Sequence, residues 1–247
     1  MKIVCIIPSR YESSRFPGKP LADLCGKPMI QHVYERVLTS KIVSSAAVAT
    51  DDQRIFEAVR TFGGHAVMTS AEHKSGTDRI AEAVSGLDLE DTDIVVNIQG
   101  DQPLFEPAQI EEVVRPLLDD PSVPMSTLIY KIVRPEEINH PNAVKTVFDH
   151  EHFAIYFSRA TIPFVRDKGQ AVSYYKHHGI YAYRRDFLHT FTRLPVGVLE
   201  KLEALEQLRA IEYGYRIKVV ETLYDSVEVD TPQELDRVRS IINKQRK

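Results

Sequence analysis

A basic segment near the start of the chain contains residue types that bind phosphate. Residues 3–7 form a short apolar run, and Arg10, Arg15, Gly18 and Lys19 follow it closely. Charged donors and accessible backbone N–H groups on one loop suit a triphosphate. The segment has neither the GxxxxGK[ST] pattern of a P-loop nor the GxGxxG pattern of a dinucleotide-binding turn. A solvated basic loop is the alternative, but the position directly after an apolar run favours phosphate binding.

Asp101 has surroundings that suit a metal ligand, and Asp230 is a second aspartate, with a strong structural alternative. Asp101 follows the apolar residues 94–98, and Asp230 precedes a Thr-Pro pair. Hard cations such as Mg²⁺ prefer oxygen ligands and retain several waters, so Asp101 could hold a metal against a phosphate. Each aspartate also has a structural alternative, because Asp101 could cap a turn beside Gly100 and Asp230 could begin a helix. The residues alone leave both interpretations open.

The elements that must position these residues alternate between strand and helix in the first half of the chain. Apolar runs at residues 3–7, 46–49, 67–68 and 94–98 predict buried strands. The predicted helices between and after them begin at Pro28, at Asp51, at Ser75 or Thr77, and at Pro107. This alternation predicts an α/β fold with a doubly wound, mostly parallel sheet. Such sheets bind ligands at the carboxyl ends of their strands.

The second half of the chain is richer in strands. Residues 127–133, 144–148 and 174–183 are β-rich with alternating polarity and have no long helix between them. They predict a smaller, antiparallel or mixed part that extends the sheet and covers the site. The remaining predicted elements are a leucine-rich helix over 199–211, a strand over 217–220 and a helix that begins at Pro232. We interpret residues 1–247 as one domain.

The composition argues against several classes of protein. The 247 residues have a formal net charge of −4, which does not favour a nucleic acid or an anionic membrane surface as the main partner. No apolar stretch approaches the roughly 20 residues of a membrane helix. The two cysteines, Cys5 and Cys25, do not suggest a disulfide framework, and no Cys or His spacing suggests zinc. We therefore expect a cytoplasmic protein.

Motifs along most of the chain resemble those of the sugar nucleotidyltransferases, in particular the 3-deoxy-manno-octulosonate (Kdo) cytidylyltransferases. In chain order the motifs are 15–21 (RFPGKPL), 26–30 (GKPMI), 48–51 (VATD), 75–79 (SGTDR), 97–103 (NIQGDQP), 156–163 (YFSRATIP), 177–183 (HHGIYAY), 205–209 (LEQLR) and 229–232 (VDTP). The resemblance implies a Rossmann-like nucleotidyltransferase fold. It also implies transfer of CMP from CTP to the anomeric hydroxyl of Kdo, with release of pyrophosphate, for lipopolysaccharide synthesis.

The resemblance also implies roles for individual residues. The implied catalytic residues are Lys19, Arg10 and Asp101, and the implied Mg²⁺ ligands are Asp101 and Asp230. The implied nucleotide-binding residues are Arg10, Arg15, Lys19, Ser75, Thr77, Arg79 and Gln99. The implied sugar-binding residues are Arg159, His177, Tyr183, Glu206 and Gln207. Two of these have strong alternatives, since Tyr183 could be a packing residue and His177 or its neighbour His178 a structural histidine.

The same resemblance divides the chain by task and implies a homodimer. Residues 1–125 would mainly bind CTP, residues 126–215 would mainly bind the sugar and form the dimer contact, and residues 216–247 would return to the site.

The identity of the acidic sugar is left open by three departures from the familiar Kdo pattern. They are Ser9, Asp78 and Gln102. An amino-substituted Kdo and a sialic acid are the alternative acceptors within the same reaction. A glycosyltransferase would need a second acid two residues after Asp101, where Pro103 stands. A nucleotide-sensing module without catalysis is the alternative from another class.

Overall fold

The computed structural model describes residues 1–13, 15–167, 169–225 and 227–245. Its strands are β1 (Ile3–Ser9), β2 (Asp23–Leu24), β3 (Lys27–Pro28), β4 (Ser45–Thr50), β5 (Ala66–Met68), β6 (Ile94–Asn97), β7 (Met125–Lys131), β8 (Lys145–Phe148), β9 (Ala154–Ser158), β10 (Tyr175–Arg184) and β11 (Ile217–Glu221). The last two residues of the predicted 216–247 segment lie outside the described part.

Helices follow most of the strands. They are α1 (Met29–Leu38), α2 (Gln53–Thr61), α3 (Gly76–Ser85), α4 (Ala108–Asp119), α5 (Arg185–Arg193), α6 (Val198–Glu203), α7 (Leu208–Glu212) and α8 (Pro232–Gln245), with 3₁₀ turns at Lys19–Leu21 and Pro135–Glu137. Among the residues that the structure describes, every helix is too short or too polar to cross a lipid bilayer.

The described strands form a nine-stranded, mostly parallel sheet and a small β2–β3 hairpin. The main path of the sheet has the order β11-β7-β10-β6-β1-β4-β5, and β8 and β9 extend it beside β10. β1 lies at the centre and pairs in parallel with β4 on one side and with β6 on the other. The chain therefore turns in opposite directions from β1, and the carboxyl ends of β1 and β6 border the switch point where such sheets bind ligands.

Helices cover both faces of this sheet, as a doubly wound fold requires. Cys5 and Ile7 of β1 point to the face packed by α1, α2 and α4, whereas Val4 and Ile6 point to the face packed by α3, α5 and α7. Because both faces are covered, β1 is apolar at successive positions, which is the pattern seen in the sequence. A third apolar cluster joins α8 to the β2–β3 hairpin.

β10 introduces the antiparallel part of the main sheet. It runs against β6 and β7, with Tyr181 opposite Asn97 of β6. This direction places the first half of β10 beyond the carboxyl end of β6. The strand-rich second half of the chain therefore lies next to the switch point.

Two local predictions were wrong. The predicted helix over 199–211 consists of α6 and α7, separated by a turn in which Ala204 has a φ of 50°. The turn is closed by a two-pronged ion pair between Glu200 and Arg209, at 2.6 and 2.8 Å. The second wrong prediction is that the α2 helix begins at Asp51. Its cap is Asp52, whose side chain accepts a hydrogen bond from the Arg54 backbone N–H at 2.9 Å.

Candidate active site

A cleft of about 310 Å³ lies at the carboxyl ends of β1 and β6. It brings together the end of β1, the basic segment, the start of α3 and the residues after β6. Eight of the predicted site residues line it, namely Arg10, Arg15, Lys19, Ser75, Arg79, Gln99, Asp101 and Asp230. Residues separated by up to 220 positions in the chain (10 to 230) thus meet in one cleft.

The basic segment is folded back on itself by a tight turn. Gly18 has a φ of 72°, and its N–H donates to the Tyr11 carbonyl at 2.8 Å. A Cβ at this glycine would lie 2.9 Å from the Tyr11 ring, so the turn needs a residue without a side chain. The 3₁₀ turn Lys19–Leu21 starts directly afterwards and points Lys19 into the cleft.

Lys19 joins the two predicted metal ligands. Its Nζ lies 2.6 Å from an Asp101 oxygen and 3.0 Å from an Asp230 oxygen. Burial opposes the charged form, but the two carboxylates outweigh it and raise the pKa of Lys19 above its ordinary value. Arg15 also contacts Asp230, at 2.9 Å. Asp101 and Asp230 therefore converge on one point.

The Asp101 and Asp230 carboxylates fit a divalent metal ion. Lys19 and Arg15 already pair with these carboxylates, so the fit to a metal rests on the two converging oxygen donors, which hard cations prefer. Across the described ranges, no group of three or more His, Cys, Asp or Glu side chains is arranged to hold a metal. The chain thus offers two oxygen donors and leaves the other positions to phosphate and water, which is the usual arrangement for Mg²⁺ at nucleotides.

The start of α3 forms one wall of the cleft. Ser75 caps the helix by accepting from the Asp78 backbone N–H at 3.1 Å. Arg79 lines the cleft but is only 4% exposed, and its guanidinium donates to Thr69 at 2.5 Å and to Asp51 at 2.7 Å. Arg79 therefore stiffens this wall, and Asp51 holds Arg79 instead of capping α2.

The floor of the cleft is formed by Gln99 and Gly100, which follow β6. A Cβ at Gly100 would lie 2.7 Å from the Ser9 hydroxyl, so the two strand ends can approach only with glycine here. The Gln99 amide donates to Asn97 and to the Gly179 carbonyl of β10, both at 3.2 Å. Gln99 thus joins the cleft to the strand-rich half.

Comparison with known proteins identifies the family. A sequence model of the family described as cytidylyltransferase matches residues 4–218. The chain belongs to the cytidylyltransferase family. The protein is thus a nucleotidyltransferase.

Several named relatives are similar over almost their whole length. The chain is 76% identical to a 3-deoxy-manno-octulosonate cytidylyltransferase of Syntrophus aciditrophicus, over 98% of this chain and 97% of the relative. It is 55% identical to an 8-amino-3,8-dideoxy-manno-octulosonate cytidylyltransferase of Shewanella amazonensis, over 96% and 97%. A solved CMP:2-keto-3-deoxy-manno-octonic acid synthetase complexed with CTP superposes with a TM-score of 0.93 at 44% identity, over 99% of this chain and 100% of that one.

In this cytidylyltransferase, Glu206 and Gln207 lie in the turn between α6 and α7 and do not line the cleft, but Glu206 lines a second cavity that shares Ser75 with it. The Thr77 hydroxyl donates to Glu206 at 2.5 Å, so Thr77 supports Glu206 and does not line the cleft. Burial raises the pKa of Glu206. In the described part of the chain, Glu206 Oε1 and Gln207 Nε2 are buried without a hydrogen-bond partner. Such atoms are costly to bury unless a ligand or water pairs with them.

Two of the predicted sugar-binding residues make their contacts within the protein. Arg159 donates to the Glu203 carbonyl at 2.6 Å and to the carbonyls of Pro141 and Ala204, so its guanidinium holds the α6–α7 turn. Tyr183 is 2% exposed within the core and its hydroxyl faces Thr77. Like His177, Glu206 and Gln207, neither lines the cleft.

The two adjacent histidines of β10 point to opposite faces of the sheet. His178 is 1% exposed and packs beside Tyr130 and Gln109 on the α4 face. His177 lies 2.9 Å from the Thr127 hydroxyl on the other face, against the rings of Phe157 and Tyr181. Burial, together with the neighbouring histidine, lowers the pKa of His177 to about 3. His177 is therefore neutral at ordinary pH.

Two residues near the site were missed by sequence reasoning. Tyr181 is partly exposed, packs with its ring tilted against that of His177 and lies close enough to Glu206 to feel its charge. The period of two along β10 could have identified it, since it shares a face with His177. Glu228 lies beside Asp101 and Asp230. Burial, together with those two negative charges, raises the pKa of Glu228 to about 7. No local pattern marks Glu228.

Proposed function

We propose that the protein transfers CMP from CTP to the anomeric hydroxyl of Kdo and releases pyrophosphate, with Mg²⁺ as the metal. The single observation that supports this most is Lys19, held between Asp101 and Asp230 at the switch point of the sheet. This group combines a cation for phosphate with two oxygen ligands for a metal. The names of the most similar relatives support the same reaction.

The nucleotide side works by neutralising and orienting the triphosphate. Arg10 is exposed in the cleft and forms no ion pair within the described ranges, so it is available to phosphate oxygens. Arg15 and Lys19 exchange a carboxylate partner for phosphate, while Ser75 and the first N–H groups of α3 face the nucleotide. Mg²⁺, held by Asp101 and Asp230, would act as a Lewis acid on the phosphate. Transfer of this kind depends on position and charge and needs no covalent enzyme intermediate.

The sugar side supplies hydrogen bonds from fixed, mostly uncharged groups. Glu206 and Gln207 have buried atoms without partners that can pair with sugar hydroxyls. On β10, neutral His177 and the hydroxyl of Tyr181 supply two further groups that can hydrogen-bond to the sugar. Gln99 lines the cleft and contacts β10, so it lies between the nucleotide and these sugar-binding groups and can orient the attacking hydroxyl. In this proposal Tyr181 replaces Tyr183, and Arg159 acts by positioning the turn.

An 8-amino derivative of Kdo is the second candidate acceptor. The relative from Shewanella amazonensis is named for that sugar and is 55% identical. The Glu206 carboxylate could accept a hydrogen bond from an ammonium group as well as from a hydroxyl. We place Kdo first because the most similar of the relatives described above, at 76% identity, is named for Kdo.

We also propose that different ranges of the chain bind the two substrates, as the sequence resemblance implies, and that the protein forms a homodimer. Residues 1–125 would mainly bind CTP, residues 126–215 would mainly bind the sugar and a second copy, and residues 216–247 would bring Asp230 to the cleft. Four side chains support the dimer contact because they are apolar and exposed, namely Ile155 (58%), Phe164 (87%), Val198 (68%) and Leu202 (78%). Sedimentation of the wild type should give twice the monomer mass, and Leu202→Asp should lower it.

The reaction is tested by pyrophosphate release from the purified protein with Mg²⁺. We expect release with CTP and Kdo, and far less when UTP, ATP or GTP replaces CTP or when EDTA removes the metal. Equal amounts of Kdo and its 8-amino derivative, offered together, give the acceptor preference from the product ratio. Binding of CTP without release in the presence of any acidic sugar would contradict the proposal and favour a nucleotide-sensing module.

A further inference from the structure

The loop between β11 and α8 brings Asp230 to the cleft from a strand at the far edge of the sheet. It covers residues 222–231, of which 226 is outside the described part. Near its end, the Val229 N–H donates to the Asp101 carbonyl at 2.9 Å, and the Gln102 amide donates to Glu228 at 3.1 Å. A loop of this length needs a second fixed point if it is to hold Asp230 in one place.

That second point is a partly buried cluster of charges around Asp225. The Lys176 ammonium lies 2.7 Å from Asp225 and 2.7 Å from Glu137, and Arg134 contacts both of these acids. The Lys176 side chain is only 9% exposed. His178 lies 3.7 Å from Asp225 on the same side. Burial opposes ionisation of Asp225, but His178 and Lys176 outweigh it and hold its pKa at about 2.

The cluster also connects the loop to the strand that contains the proposed sugar-binding histidine. Lys176 and His178 are the neighbours of His177 on β10, and they point to the opposite face of the sheet. In addition, the Gln109 amide of α4 donates to the Tyr224 carbonyl at 3.4 Å. The first half of the loop is thus fixed to β10 and α4, outside the nucleotide cleft and in a cavity that His177 also lines.

We propose that Asp225 is a positioning residue that fixes the β11–α8 loop and thereby places Asp230 for the metal–CTP complex. The inference rests on the proposed function, because it assumes that Asp230 binds a metal together with CTP. Asp225 lines a cavity separate from the nucleotide cleft and acts through the loop. Residues that orient a metal ligand from behind typically change metal affinity by about 10- to 100-fold when replaced.

The test compares two variants that remove the same charge from the same cluster. Asp225→Asn frees the loop, whereas Glu137→Gln removes the other acid that contacts Lys176 and Arg134 and leaves the loop attached. Lys176 and Arg134 keep one acid in each variant, so neither leaves a buried cation without a partner. The readout is calorimetric CTP affinity with Mg²⁺ and with EDTA, and the ratio of the two measures metal coupling without turnover.

We expect Asp225→Asn to lower the Mg²⁺-dependent gain in CTP affinity about tenfold, with affinity in EDTA unchanged. Glu137→Gln should change the gain by less than about threefold, although both variants lower Tm to a similar extent. Lys176→Gln, which releases Asp225 from the other side, should reproduce the loss if Asp225→Asn folds poorly. Equal effects of Asp225→Asn and Glu137→Gln, or no effect of either loop variant, would overturn the inference. Failure of the wild type to release pyrophosphate would instead contradict the proposed function.

Discussion

The nucleotide side and the sugar side of the cleft differ in how the chain builds them. On the nucleotide side, the basic segment, Gln99-Gly100-Asp101 and the start of α3 all follow strands of the parallel half, so neighbouring residues in sequence remain neighbours in the site. On the sugar side, Tyr181 comes from an antiparallel strand and Glu206 from a turn between two short helices. There the face of a strand and the geometry of a turn decide which side chain is presented. Contiguous motifs therefore specify the first side better than the second.

The largest effect should come from Lys19, at the centre of the nucleotide side. We expect Lys19→Ala to lower kcat/KM for CTP by about 10²–10³, because one preorganised charge at the transferring phosphate is lost. The protein should still fold but be less stable, since Lys19 is only 15% exposed and its loss leaves Asp101 and Asp230 without the ammonium they share. The measurement is steady-state pyrophosphate release together with thermal unfolding.

Lys27→Ala is the matched control for that experiment. Lys27 also pairs with a carboxylate, Glu35 at 2.7 Å, but it lies outside the cleft and is 40% exposed. It should retain nearly full activity because exposed ion pairs contribute little. If Lys19→Ala is as active as the wild type, Lys19 does not act on the transferring phosphate and the proposed nucleotide side is wrong.

Much of the fold and of the nucleotide side could be predicted because their signals are local. The buried run of β1 and the cap at Ser75 are each visible within a few residues. Arg159 and Tyr183 could not be assigned in that way. The Arg159 guanidinium contacts three backbone carbonyls because α6 and α7 are separated by a turn. The helical period of residues 199–211 did not reveal that turn. Tyr183 and Tyr181 share a face of β10, and only packing against α5 buries the first.

The second largest effect is a loss of folding stability at low pH, caused by His177 on the sugar side. The pKa of His177 is about 3 in the folded protein, against 6.5 ordinarily, so below pH 6.5 the unfolded chain binds a proton that the folded chain does not. Stability should be full above pH 6.5 and fall as the pH drops toward 3. We expect a loss of roughly 25-fold in the folding equilibrium constant between pH 7 and pH 5, measured by urea unfolding.

His177→Gln should flatten this dependence, because the group that takes up the proton only on unfolding is gone. His65→Gln serves as the control and should leave the slope unchanged, since His65 is exposed and directly precedes β5, away from the cleft. Equal slopes in all three proteins would show that the sugar side is not the acid-sensitive half.

A smaller effect should separate the two tyrosines of β10. Tyr181→Phe should raise KM for the sugar about fivefold and leave KM for CTP unchanged, because one hydrogen bond to substrate is lost. Tyr183→Phe should leave both KM values unchanged and lower stability by about 1 kcal/mol, because its hydroxyl faces Thr77 inside the core. Steady-state kinetics with each substrate varied in turn, together with urea unfolding, tests both. The reverse pattern would restore Tyr183 as the sugar-binding residue.

The smallest effect should come from Ser75, where the two sides of the cleft touch. Its hydroxyl caps α3 and also lies against the Glu206 carboxylate, so Ser75→Ala should raise KM for both CTP and the sugar by about two- to threefold. Loss of the cap should lower stability by about 1 kcal/mol. Asp52→Ala removes the corresponding cap of α2, which does not line the cleft, and should show the stability loss without the change in KM. If both variants leave KM unchanged, the hydroxyl acts only as a cap, and the two sides of the cleft are independent at this point.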